Sequence, residues 1–135
     1  MAGECILVVD DNPLNLKVTR LLLASEGYDV RTAGDSYEAL AMLQNIRPRL
    51  ILMDIRMPGM DGLELTRRLR ADASMEGVVI LALTAYAMRG DEDRALGAGC
   101  DGYVAKPIDT RRLPHLIRAH LDATGEARLA LTPAR

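Results

Sequence analysis

Short apolar runs alternate with stretches of helical period along most of this chain. Cys5-Ile6-Leu7-Val8-Val9 is continuous and apolar, the pattern of a strand buried on both faces. Pro13 then stands at a first helical position. Leu14, Val18, Leu21 and Leu22 follow at i, i+4, i+7 and i+8 as an inward stripe, and Gly27 ends the helix. Tyr28 to Ala33 predicts a weaker strand, whose Asp29 and Arg31 suit a sheet edge. Asp35, with Glu38 three residues later, has the spacing of a capping box. That helix carries Ala39, Leu40, Leu43 and Ile46 inward and stops at Pro48. Leu50 to Met53 is a third strand. Met57 to Gly62 is a loop broken by Pro and Gly, and Leu65 and Leu69 are the inward pair of a helix with Arg67, Arg68 and Arg70 on its solvated face. Val78 to Leu83 is the most apolar strand and is expected at the sheet centre. A helix over about 88–98 contains Gly90 and Gly97, each costing ~1 kcal/mol against Ala, so it is expected to be marginal. Gly102 to Ala105 is a short fifth strand. Asp109 caps a last helix with Leu113, Leu116, Ile117 and Leu121 inward, and Pro114 demands that it start late or kink. Residues 124–135 show no amphipathic period and read as a tail or linker start. Five strands alternating with five helices predict an α/β protein, a doubly wound parallel sheet with helices on both faces.

The length of 135 residues fits a single domain. With no Phe, no Trp and four Tyr, the core must be aliphatic, and aromatic platforms for single-stranded nucleic acid are nearly excluded. A net charge of -2 gives no footprint for duplex DNA or an anionic membrane, so neither nucleic acid nor membrane is an expected partner. The longest apolar run is too short for a bilayer, and no charged-then-apolar signal segment opens the chain. Cys5 and Cys100 have no metal-ligand spacing; buried free thiols in a reducing, cytoplasmic compartment are expected.

In a doubly wound sheet, ligands bind beyond the carboxyl ends of the strands. The first apolar run ends in Asp10-Asp11, the third in Asp54, the fourth in Thr84 and the fifth in Lys106-Pro107. Two carboxylates ~4 Å apart repel by about 4 kcal/mol at an effective dielectric of 20, so three can share a site only with a compensating cation. All-oxygen ligands point to a hard divalent ion, Mg²⁺ first and Mn²⁺ second. With that charge neutralised, Asp54 becomes a plausible nucleophile toward a phosphoryl group.

These motifs resemble the receiver domain of two-component response regulators. The resemblance rests on Ile6 to Asn12, Met53 to Gly62, Leu83-Thr84-Ala85 and Lys106-Pro107, and covers residues 4–122, leaving 123–135 as the tail. Thr84 to Glu92 is similar to single-domain cell-division regulators of the DivK type, and to receivers attached to hybrid kinases and diguanylate cyclases. The resemblance implies a flavodoxin-like receiver fold with strand order 2-1-3-4-5. It implies that Asp54 is the phosphorylation site, fed by the phosphohistidine of a sensor histidine kinase or phosphotransfer protein. Asp11, Asp54 and the Arg56 backbone carbonyl would bind Mg²⁺ directly, and Asp10 mostly through water. Lys106 and Thr84 would contact phosphate oxygens, Thr84 and Tyr103 would form the switch, and the Lys106-Pro107 peptide would be cis. The marginal glycine-containing helix lies between Thr84 and the strand bearing Tyr103, so a downstream protein is expected to bind residues about 88–115.

Two departures accompany the resemblance. Arg56 and Tyr86 occupy positions that tune dephosphorylation in the family, and Pro114 interrupts the last helix. The chain is thus expected to be a phosphoacceptor switch without separate substrate turnover, either free-standing or a receiver excised from a hybrid kinase or diguanylate cyclase. An aspartyl phosphohydrolase would be expected to carry a second acid where Arg56 stands. A flavin module would need a phosphate-cradling loop where Asp10-Asp11 repel phosphate.

Overall fold

The computed structural model describes residues 3–84 and 90–131, with side chains up to residue 123. The strands are β1 (Cys5–Val9), β2 (Asp29–Ala33), β3 (Leu50–Asp54), β4 (Val79–Thr84) and β5 (Gly102–Ala105). They form one parallel sheet in the order β2-β1-β3-β4-β5. The helices are α1 (Pro13–Ser25), α2 (Ser36–Met42), α3 (Gly62–Arg70), α4 (Asp91–Ala98) and α5 (Leu113–Leu131), with a 3₁₀ turn at Ala73–Met75. This is the doubly wound α/β architecture expected from the alternation. Among the described residues no helix is long and apolar enough to cross a membrane.

Parallel strands alternate their side chains between two covered faces, and the core divides accordingly. One half joins Leu7, Val9, Ile51, Met53 and Ile80 to Ala39, Leu65, Leu69 and Ala95 of α2, α3 and α4. The other joins Ile6, Val8, Leu52, Leu81 and Leu83 to Leu23 of α1 and to Leu113, Ile117 and Leu121 of α5. All five residues of β3 and all six of β4 are buried. The most apolar strand, β4, is interior but not central; β3 holds the middle place.

Several local features differ from the sequence expectations. In α1 the buried residues are Thr19 and Leu23, with Leu16 and Leu22 packed against the core. Leu14, Val18 and Leu21, expected inward, are 67%, 45% and 52% exposed. Apolar residues occupy most of this helix's circumference, so two faces carry helical spacing, and contact with the sheet selects Leu16-Thr19-Leu23. Asp35 does cap α2, accepting the Glu38 N–H at 2.7 Å, but Glu38 reaches back to the Gly34 N–H rather than to that of Asp35. α4 begins at Asp91, with Gly90 as its N-cap at φ 91°, so Gly90 serves a left-handed cap instead of weakening a helical turn. Positions 88 and 89 of the expected helix, and Tyr86, lie outside the described residues. Asp109 caps a preliminary turn through the Arg111 and Arg112 N–H groups, and regular helix starts only at Leu113. Pro114 therefore falls in the first turn of α5, where a missing N–H is tolerated. The backbone of α5 stays helical to Leu131, through most of the segment expected as a tail. Both cysteines are free; Cys100 is buried, and Cys5 only partly so.

Candidate functional site

Strand register alone brings the acidic residues together. Val9 lies beside Met53, so Asp10 and Asp54 leave adjacent strands at the same level. Asp54 in turn lies beside Leu83, and Thr84 beside Ala105. Lys106 follows Ala105 and donates its N–H to the Thr84 carbonyl at 2.7 Å. The Lys106-Pro107 peptide is cis.

Each turn leaving the sheet is fixed by local hydrogen bonds. Asn12 caps α1, its side-chain oxygen accepting the Leu14 and Asn15 N–H groups at 2.9 and 3.2 Å. Asp10 Oδ1 accepts the Asn12 N–H at 2.9 Å, which orients the carboxylate. After β3, the Arg56 N–H donates to Asp54 Oδ1 at 3.0 Å. The loop to α3 closes when the Gly62 N–H bonds the Ile55 carbonyl, and Asp61 caps α3 through the Glu64 N–H. A Cβ on Gly62 would meet the Asp54 carbonyl oxygen at 2.5 Å and Ile55 Cα at 2.8 Å, so only glycine lets α3 start this close to β3. From α2, the buried Ser36 hydroxyl donates to the Met60 carbonyl at 2.8 Å and braces the same loop.

Carboxylate oxygens of Asp10, Asp11 and Asp54 lie within 4.8 Å of one another, with Asp10 and Asp54 buried and Asp11 exposed. Lys106 Nζ sits 2.6 Å from Asp54 Oδ2 and 3.6 Å from Asp10 Oδ2. Burial pushes the Asp10 carboxyl above the usual carboxylate range, against the pull of the Asn12 N–H and Lys106. Burial alone would lower the Lys106 ammonium, but its pairing with Asp54 and Asp10 holds it above its ordinary value. Two buried polar atoms have no hydrogen-bond partner among the described residues: Asp10 Oδ2 and Thr84 Oγ1. Such orphans are rare in native interiors, and both lie at this strand-end site. An all-oxygen, three-carboxylate set with an unsatisfied oxygen fits a hard divalent cation such as Mg²⁺.

The model of the response regulator receiver domain family matches residues 6–118. This chain belongs to that family. It is similar to the polar-differentiation response regulator DivK of Brucella anthropi, 40% identical over 118 residues that cover 87% of this chain and 96% of the relative. Among solved structures, it is similar to the receiver domain of a Pseudomonas aeruginosa sensor histidine kinase with a magnesium ion coordinated in the active-site cleft. That match has 39% identity and a TM-score of 0.82, covering 90% of this chain and 99% of that one. It is also similar to a CheY-like receiver domain protein of Methanospirillum hungatei, with 34% identity and a TM-score of 0.84, covering 93% and 99%.

Not every residue singled out in the sequence joins the cluster. Tyr103 of this receiver domain is exposed on β5, and the neighbouring Glu92 carboxylate of α4 raises its phenol above the ordinary value. Arg56 offers its N–H to Asp54, while its guanidinium reaches Asp91 at 3.3 Å. Asp91 is 1% exposed and also pairs with Arg94. In the sequence Asp91 is only an acidic residue suited to a helix N-terminus; a contact between residues 35 apart leaves no periodic trace. Arg70 likewise leaves the solvated face. It donates to the Gly99 and Val78 carbonyls and pairs with Asp101, tying the end of α3 to the start of β4 and the turn before β5.

Proposed function

We propose that this receiver is a phosphoacceptor switch in which Asp54 takes a phosphoryl group from the phosphohistidine of a kinase or phosphotransfer protein. A carboxylate oxygen of Asp54 attacks phosphorus, the phosphorus–nitrogen bond of the donor breaks, and its electron pair returns to the donor imidazole. Asp11, Asp54 and the Arg56 backbone carbonyl would hold Mg²⁺ directly, with Asp10 mostly through water. The bound ion supplies charge neutralisation for the developing phosphoryl oxygens. Lys106 exchanges its Asp54 oxygen for a phosphoryl oxygen, and the Thr84 hydroxyl, which has no partner among the described residues, donates to another. The convergence of three carboxylates and Lys106 at one sheet edge carries this reading.

The partner surfaces follow from position. Leu14, Val18 and the Lys106–Thr110 segment line one depression beside the site, which suits a donor delivering its phosphohistidine to Asp54. A second concavity, about 750 Å³ and lined by Tyr103, Ala105, Arg112 and Leu116 among others, lies within or next to the 88–115 region assigned to a downstream protein. The reading makes the protein a cytoplasmic switch rather than an enzyme with a turned-over substrate. A phosphohydrolase is disfavoured because Arg56 stands where its second acid would be. Origin within a hybrid kinase or diguanylate cyclase is compatible with the same chemistry.

Intact mass spectrometry after incubation with a small acyl phosphate and Mg²⁺ tests the assignment. The wild-type protein should gain one phosphoryl group, and Asp54→Asn should gain none. Equal labelling of the variant would refute Asp54 as the acceptor.

A further inference from the structure

Arg56 is connected to two places at once. Its N–H donates to Asp54 Oδ1 at 3.0 Å, and its guanidinium pairs with Asp91 Oδ2 at 3.3 Å, on the first turn of α4. Asp91 is buried, whereas the Arg56 side chain is more than half exposed. Giving up the Arg56 pair is therefore cheap on the arginine side, since exposed ion pairs contribute little. It would be expensive on the Asp91 side if a buried carboxylate were left alone. Asp91 is not left alone: Arg94, itself anchored on the Gly90 carbonyl, pairs with its other oxygen.

We propose that Asp91 is a positioning residue that competes with the phosphoryl group for Arg56. In the unphosphorylated protein Asp91 holds the guanidinium toward α4. On phosphorylation, Arg56 swings to the phosphoryl oxygens, and Arg94 keeps Asp91 neutralised. Two features favour the exchange. The planar guanidinium forms paired hydrogen bonds with phosphate geometry, and the phosphoryl group brings about -1.5 to -2 charge next to the Arg56 backbone. The exchange severs the link between the β3–α3 loop and the first turn of α4, so occupancy at Asp54 reaches α4 independently of Thr84. This inference rests on phosphorylation at Asp54.

Calorimetric titration with beryllofluoride and Mg²⁺, used as a phosphoryl mimic, tests it on the full chain. Asp91→Asn should bind about threefold tighter than wild type, the scale of an exposed ion pair released for the ligand. In an Arg56→Gln background, which leaves the backbone carbonyl and N–H in place, Asp91→Asn should change nothing. Arg94→Gln should weaken binding, because Asp91 then holds Arg56 more firmly. A purely structural role for Asp91 would not give opposite signs for Asp91→Asn and Arg94→Gln, nor lose its effect without Arg56. If wild type binds the mimic and Asp91→Asn binds it equally or more weakly, the competition is overturned while the phosphoacceptor reading stands. The competition is likewise overturned if the Asp91→Asn effect persists in the Arg56→Gln background. If wild type fails to bind at all, both fall.

Discussion

Lys106 sets the charge balance of the site, because it already occupies part of the space a divalent ion would neutralise. Its ammonium is 2.6 Å from Asp54 and 3.6 Å from Asp10. On the proposed function, Asp11→Ala removes a metal ligand and a charge together, and Mg²⁺ binding should fall at least tenfold. Lys106→Met removes a competing cation, and Mg²⁺ binding to the unphosphorylated protein should be unchanged or tighter. Isothermal titration of both variants checks the division of roles; equal weakening would contradict it. Asp10 gives a second residue-scale expectation. Burial raises its carboxyl, so its ionised form opposes folding. That opposition is fully present above the raised folded value and fades as pH falls from there toward the unfolded value near 3.8. Asp10→Asn should therefore raise Tm at pH 7 in Mg²⁺-free buffer, with the gain shrinking as the solution is acidified. An undiminished gain at pH 4 would show that the carboxyl's charge is not the cause.

At the scale of elements, strands and strand ends were legible in the sequence, while helix faces were legible only in part. Continuous apolar runs at Cys5–Val9 and Val78–Leu83 are too short for a buried helix and fit a strand in a covered parallel sheet, which buries both of its faces; the observed strands are Cys5–Val9 and Val79–Thr84. Once strands are located, the residues after them converge by register, which is why Asp10, Asp11, Asp54 and Lys106 come together. A helix buries one face, and α1 offers two apolar ones; the sheet, not the periodicity, chooses Leu16-Thr19-Leu23. Arg56–Asp91 and the Arg70 network cross between elements, so nothing local encodes them. Gly62 looks like a turn residue in the sequence, yet its φ is not in the left-handed region, and its requirement is the backbone of β3 pressed against it. Gly62→Ala places a methyl 2.5 Å from the Asp54 carbonyl, and backbone cannot move aside as a flexible side chain would. We expect a loss of about 1–3 kcal/mol in urea unfolding. Phosphorylation by a small acyl phosphate should also slow, because Asp54 itself is displaced. A variant of unchanged stability and rate would show that the loop absorbs the methyl without moving the acceptor.

Across the whole molecule, two surfaces flank the strand-end site and make opposite demands on it. On the proposed function, a phosphohistidine donor docks on the unphosphorylated form, so its surface should exist before the switch. The exposed Leu14-Val18-Leu21 stripe meets that demand: α1 is capped by Asn12 and packed through Thr19 and Leu23, contacts that do not involve Asp54. A downstream partner must instead distinguish the two forms, so its surface should change. α4 is short, opens on a glycine cap, has Gly97 inside it, and is linked to the site loop through Arg56–Asp91. A perturbation of a few kcal/mol at Thr84 is of the size that repopulates a two-state element, and release of the Arg56–Asp91 pair adds a smaller bias in the same direction. Hydrogen exchange with and without beryllofluoride and Mg²⁺ separates the two demands. Amides of 90–115 should change their exchange rates several-fold, with the first turn of α4 exchanging faster once Arg56 leaves. Amides of α1 from residue 16 onward should stay as they were, apart from the metal-side residues 10–12. Changes confined to residues 10–25 that spare 90–115 would move the state-dependent surface to α1. They would leave Lys17 and Arg20, rather than Arg111 and Arg112, as the cations a downstream partner meets.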